Sequence, residues 1–212
     1  MKKIYEKFYI YIMDLIPKIS WDRFRKFLTG KSHALTDEDR EEIKAILRTG
    51  YFIILTEDRS HLSSWAVKLG NFMLTRKFGR YTHALVNVEQ DESEEFEFIE
   101  AINSGVKKSS FDEIFACDSV CILKPKWFTV DENNTALEKT LTFIGLNYDK
   151  HFRYNDDTEL SCVEVVRHAL ETIPDYKKEM RVFEYMIATE KNLVPQMYRD
   201  CADFEVVGEW VR

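Results

Sequence analysis

The sequence predicts an α+β fold, an antiparallel sheet packed with helices, and three observations predict it. Three short segments rich in β-branched and aromatic residues, 81–88, 96–101 and 119–123, occupy the centre of the chain. Segments with helical spacing of apolar residues flank them, so strands and helices come in runs rather than in strict alternation. The 212 residues are 45% hydrophobic and 14% aromatic, with only 7 Gly and 4 Pro. That is enough apolar side chain for a buried core, and too little Gly and Pro for a disordered or collagen-like chain.

Taken in order, Ile4, Phe8, Tyr11, Ile12 and Leu15 recur at helical spacing and stop at Pro17, and Phe24, Phe27 and Leu28 continue along one side. Residues 1–35 therefore read as an N-terminal helical arm on a domain spanning 36–212. Thr36 is placed to cap a helix whose first turn is acidic, where the helix dipole favours carboxylates; it runs to about Arg48 and stops at Gly50. Residues 51–56 read as a fully buried strand and 62–74 as a helix. The strands at 81–88 and 96–101 are separated by the acidic run 89–95, which lacks the spacing and turn Gly of a calcium loop and reads as a solvated hairpin tip. With 119–123 they suggest an antiparallel meander. Residues 133–143 are helical in pattern with Gly145 as a stop, 161–171 form a helix ending before Pro174, residues 177–200 are mostly helical, and a last strand lies near 204–207.

Charge excludes one function class. Net charge is −7, yet residues 1–31 carry Lys2, Lys3, Lys7, Lys18, Arg23, Arg25, Lys26 and Lys31 against Glu6, Asp14 and Asp22, which leaves −12 for the rest. Such a body does not suit nucleic acid, which needs clustered positive charge. The basic aromatic arm of residues 1–31 allows either packing on the domain or peripheral contact with a membrane surface. No apolar stretch there reaches the roughly 18 residues that span a bilayer, and charges interrupt any signal-peptide core, which points to a cytoplasmic protein. In that compartment Cys117, Cys121, Cys162 and Cys201 are thiols. Cys117 and Cys121 have no second pair or nearby His to complete a zinc site, so no metal is expected.

Ser161-Cys162-Val163-Glu164 has the Ser-x-x-Glu pattern of a capping box, with Ser161 at the N-cap and Cys162 at the first helical position. There the helix dipole and unsatisfied N–H groups favour thiolate and can receive an oxyanion. A nucleophile and a small buried hydrophobe both suit the position. His83 lies inside an apolar strand, where an ionisable ring is costly unless paired. Strand alternation puts Tyr81, His83 and Leu85 on one face, opposite Thr82, Ala84 and Val86. Glu100, seventeen residues on, comes near His83 if the two strands pair, either as the orienting carboxylate of a triad or as a core hydrogen bond. His61 and His151 fall in polar loop-like segments, and His168 lies on the Cys162 helix on a different face. Tyr148, after the Gly145 stop, either donates its hydroxyl to a site or packs.

In chain order, Thr82-His83-Ala84, Ile99-Glu100-Ala101, Gly145-Leu-Asn-Tyr148-Asp149 and Ser161-Cys162-Val163-Glu164-Val165-Val166 resemble the permuted papain-like amidases, specifically the YiiX/YebB-like branch of the NlpC-type cysteine hydrolases. The resemblance covers roughly residues 45–170. It implies a permuted papain-like fold in which the strand His precedes the helix-borne Cys, with Cys162 as nucleophile, His83 as base and Glu100 as orienting acid. Tyr81, Tyr148 and Ser161 would border the substrate. The family usually opens its first strand with Gly-Asp and surrounds the nucleophile as Tyr-Cys-Ser-Glu. Here Gly50 is followed by Tyr51-Phe52 and Cys162 lies between Ser161 and Val163, a departure that bears on substrate range more than on fold. The implied activity is hydrolysis of an amide or isopeptide bond in a small-molecule or peptide-like substrate, without cofactor. A lipid-directed thioesterase or acyltransferase, and a catalytically silent binding module, are the rival readings.

Overall fold

The computed structural model describes residues 35–48, 52–58, 62–75, 77–88, 96–126, 128–150, 157–172 and 194–211. The helices expected over 4–16 and 21–28, the acidic turn 89–95, His61, His151 and most of the 177–200 segment lie outside the described residues.

In chain order the elements are α1 (Asp37–Leu47), β1 (Ile53–Glu57), α2 (Leu62–Thr75), β2 (His83–Asn87), β3 (Glu97–Ile102), β4 (Gly105–Ser110), α3 (Phe111–Ile114), β5 (Ser119–Pro125), α4 (Val130–Leu141), α5 (Cys162–Leu170), α6 (Pro195–Asp200) and β6 (Phe204–Val211). The strands form one sheet in the order β4-β3-β2-β1-β5-β6, and every neighbouring pair is antiparallel. Central β1 is buried along its whole length, as an unbroken apolar run requires.

Alternation along the strands divides the core in two. One cluster joins Ile53, Leu55, Ala84, Val86, Ile99, Ala101, Cys121 and Leu123 to Val163, Val166 and Leu170 of α5. The other joins Ile54, Leu85, Phe98, Val120 and Ile122 to Ile43 and Leu47 of α1 and to Phe111 and Ile114 of α3. Helices thus cover both faces of the sheet, and α5 packs against β2, β3 and α4. Three helix starts are set locally by reciprocal capping: Thr36 with Asp39, Ser110 with Glu113, and Thr129 with Glu132.

The structure corrects the expected topology in three places. The segment 119–123 does not follow 96–101 in a meander: β5 pairs with β1 on the other side of the sheet, and β4 occupies the place beside β3. Neither β4 nor the short α3 is expected from the sequence. Tyr81 does not share a face with Leu85, because it precedes the first residue of β2 and packs in the cluster of Ala84 and Val86. Boundaries move as well: β6 extends to Val211, and α4 starts at Val130.

Candidate active site

The register brings two of the three proposed residues together. Leu85 of β2 faces Glu100 of β3, so His83, two residues before Leu85, is the diagonal neighbour of Glu100. His83 Nε2 lies 2.8 Å from Glu100 Oε2. The other carboxylate oxygen accepts a hydrogen bond from the Ser109 hydroxyl at 2.5 Å and has Lys107 Nζ at 3.7 Å, both contributed by β4. Glu100 is therefore buried and engaged on both oxygens.

The third residue arrives through a chain of backbone contacts. The N–H of Val106, on β4, donates to the Leu146 carbonyl at 2.8 Å, and Gly145 N–H donates back to the Val106 carbonyl at 2.9 Å. Gly145, with φ of +93°, lets the chain leave α4 at this point. Leu160 N–H then donates to the Asn147 carbonyl at 2.9 Å, which sets the strand-like entry into α5. The next two residues are Ser161 and Cys162. Glu164 Oε2 accepts from both the Ser161 N–H and the Ser161 hydroxyl, at 2.8 and 2.7 Å. On the far side, the buried Tyr198 of α6 donates its hydroxyl to the Val163 carbonyl at 3.0 Å. The first turn of α5 is held from two directions, and Cys162, buried at 7% exposure, lies close enough to His83 for the thiol to raise the ring's pKa.

Electrostatics follow from this placement. Burial works against a charged His83 ring, but the interactions with Cys162 and Glu100, with the charges of those groups, outweigh it and raise its pKa to about 10. For Glu100, burial works against the carboxylate; the hydrogen bond and charge of His83, with Ser109 and Lys107, override it and hold the pKa at about 2. Burial raises the Glu164 pKa despite its two bonds from Ser161, and its Oε1 has no hydrogen-bond partner. The N–H groups of Cys162 and Val163 have no acceptor among the described residues, as expected for the first turn of a helix.

The other candidates are distributed as follows. Tyr81 is buried and its hydroxyl donates to Glu209 at 2.5 Å; burial and that bond raise its pKa. Ser161 is fully buried with its hydroxyl on Glu164. Neither hydroxyl is turned toward the Cys162–His83 pair. Tyr148 is partly buried against the cluster that contains Cys162. His168 lies near the far end of α5, between Asp157 and Glu171 at 3.1 Å from each. Cys117, Cys121, Cys162 and Cys201 are thiols, with no disulfide among them. Burial pushes Cys117 and Cys121 up to about 12. Ser109 and Lys107 are the site residues that sequence reasoning misses, and the Asn103-Ser104-Gly105 turn after β3 is the signal that would have found them.

No family model and no curated protein matches the sequence. The fold is similar to that of the metalloprotein yiiX from Escherichia coli O157:H7, a DUF1105 protein. The match has a TM-score of 0.58 and covers 77% of this chain and 98% of that one at 16% identity. Among the described residues no three His, Cys, Asp or Glu side chains are grouped to hold a metal ion, so they do not fit a metal centre. The chain's own α+β fold, built on a six-stranded antiparallel sheet, is thus a yiiX-like fold.

Proposed function

We propose that the protein is a cysteine hydrolase that cleaves an amide or isopeptide bond through Cys162, His83 and Glu100. The observation that carries this reading is that one imidazole is hydrogen-bonded to a buried carboxylate and lies within interaction range of a helix-start thiol. Nε2 is engaged by Glu100, which leaves Nδ1 for the proton of the Cys162 thiol. The thiolate sulfur attacks the substrate carbonyl carbon, and the developing oxyanion is received by the N–H groups of Cys162 and Val163. His83 then returns the proton to the departing amine as the C–N bond breaks, leaving a thioester on Cys162. Water, deprotonated by His83, attacks the thioester, and the carboxylic acid leaves as the thiol is restored. Glu100 keeps the ring oriented and stabilises its charged form, the role of the third member of a triad.

The test is mass-spectrometric screening of peptide-like and isopeptide amides for amine release by wild type, Cys162→Ala and His83→Ala. Either substitution is expected to lower turnover by about a thousandfold or more, with the fold intact by circular dichroism. Full turnover in either variant would refute the mechanism.

A further inference from the structure

Trp65, Leu69 and Phe72 recur on one face of α2, at spacings of four and three residues. Trp65 is 60% exposed and Leu69 44%, and Phe78, just past the helix, is 72% exposed. The Phe78 ring stacks on Phe72 with centroids 4.5 Å apart, so the apolar stripe continues beyond the helix end. A contiguous aromatic stripe turned outward is the reverse of core burial and marks an interaction surface. The turn that presents Phe78 is held in place: buried Asn71 donates through Nδ2 to the Lys77 carbonyl at 2.9 Å. A Cβ on Gly79 would come within 2.4 Å of the same Nδ2, so glycine is what allows the chain to pass there.

Charge identifies the occupant. From residue 59 to residue 80 the chain carries Arg59, Lys68, Arg76, Lys77 and Arg80 and no Asp or Glu, within a protein of net charge −7. Lys77 and Arg80 are exposed on either side of Phe78 in the sequence. Lys68 lies over the Trp65 ring, 5.3 Å from its centroid, while pairing with Glu57. Exposed aromatic and aliphatic side chains bordered by cations are what an anionic bilayer surface selects: rings enter the headgroup region and the basic groups meet lipid phosphates.

We infer that α2 and the turn at residues 77–80 form a docking surface for an anionic lipid bilayer. The surface adjoins the proposed catalytic strand, since the Thr82 hydroxyl, one residue before His83, donates to the Ser64 hydroxyl of α2 at 3.2 Å. It does not depend on Cys162 chemistry, so failure of the hydrolase reading would leave it standing.

The test is flotation of the full chain with phosphatidylcholine vesicles and with vesicles containing phosphatidylglycerol. Wild type is expected to partition onto the phosphatidylglycerol vesicles and to be released by salt. The double variant Trp65→Ser with Phe78→Ser, and the double variant Lys77→Glu with Arg80→Glu, should each lower partitioning by about tenfold or more. Both alter exposed side chains, and wild-type thermal melts would establish that they fold. Cys162→Ala should float as wild type does. The inference is overturned if wild type ignores the phosphatidylglycerol vesicles, or if the aromatic variant floats undiminished because another part of the chain binds. It is overturned equally if Trp65→Ser and Phe78→Ser abolish a concentration-dependent dimer, which would make a second copy the occupant.

Discussion

Replacing Glu100 by Gln removes the charge of the carboxylate while keeping its size and one acceptor oxygen. The pKa of Glu100 falls from 4.5 to about 2 in the folded protein, which corresponds to about 3 kcal/mol favouring the ionised form. The side chain is 9% exposed, so solvent screening takes little of this away. Because the folded pKa is lowered, this contribution is present above 4.5 and lost as pH falls toward 2. His83 has the opposite sign: its pKa rises from 6.5 to about 10, so its contribution is full below 6.5 and lost as pH rises through 10. The two windows overlap between pH 4.5 and 6.5. Urea unfolding of wild type and Glu100→Gln across pH should therefore differ most in that interval, by about 3 kcal/mol with unchanged m-value; the difference should vanish as pH falls toward 2 and shrink as pH rises through 10, where Ser109 and Lys107 still favour the carboxylate. A difference that stays constant from acid to alkaline pH would refute the coupling of the carboxylate to the imidazole.

Three further outcomes are expected. Limiting iodoacetamide near neutral pH should label Cys162 ahead of Cys117 and Cys121, whose thiols burial holds at about 12, and His83→Ala should erase that preference; peptide mass spectrometry reads the order. Ser109→Ala removes one donor from Glu100 and should cost about 1 kcal/mol in urea unfolding, with a fall in kcat larger than any change in KM. Gly105→Ala forces a side chain onto a φ of +109° and brings Cβ within 2.5 Å of the Leu146 carbonyl oxygen. A loss of about 2 kcal/mol or more in thermal unfolding is expected, along with weaker activity, because the same backbone contact leads toward Cys162.

The parts of the site carried by local patterns were legible in the sequence. Ser161 and Glu164 mark a helix start three residues apart, which places Cys162 without any tertiary information. Strand spacing across residues 89–95 brings His83 near Glu100 on the condition that the two strands pair, and β2 and β3 do pair antiparallel. What escaped was carried by weak or non-local signals. The β4 strand reads Gly-Val-Lys-Lys-Ser-Ser, with polar side chains suited to a sheet edge and little apolar alternation, yet it supplies Ser109 and Lys107 to Glu100. The partner of β5 could not be read because its apolar run records burial and not which strand lies alongside. Tyr81 leaves the face that alternation assigns it because it lies before the start of β2, where the backbone does not alternate.

The polarity of the β2–β3 hairpin has a practical use. His83 opens β2, and the link to β3 departs from the other end of that five-residue strand, about 15 Å along the chain direction. The buried Asn87, whose side-chain Oδ1 accepts from the Phe52 N–H, closes that far end, so an isotope label at Asn87 reports on the strand away from the imidazole. Such a label would follow the opening of β2 without altering His83, Cys162 or the aromatic stripe of α2.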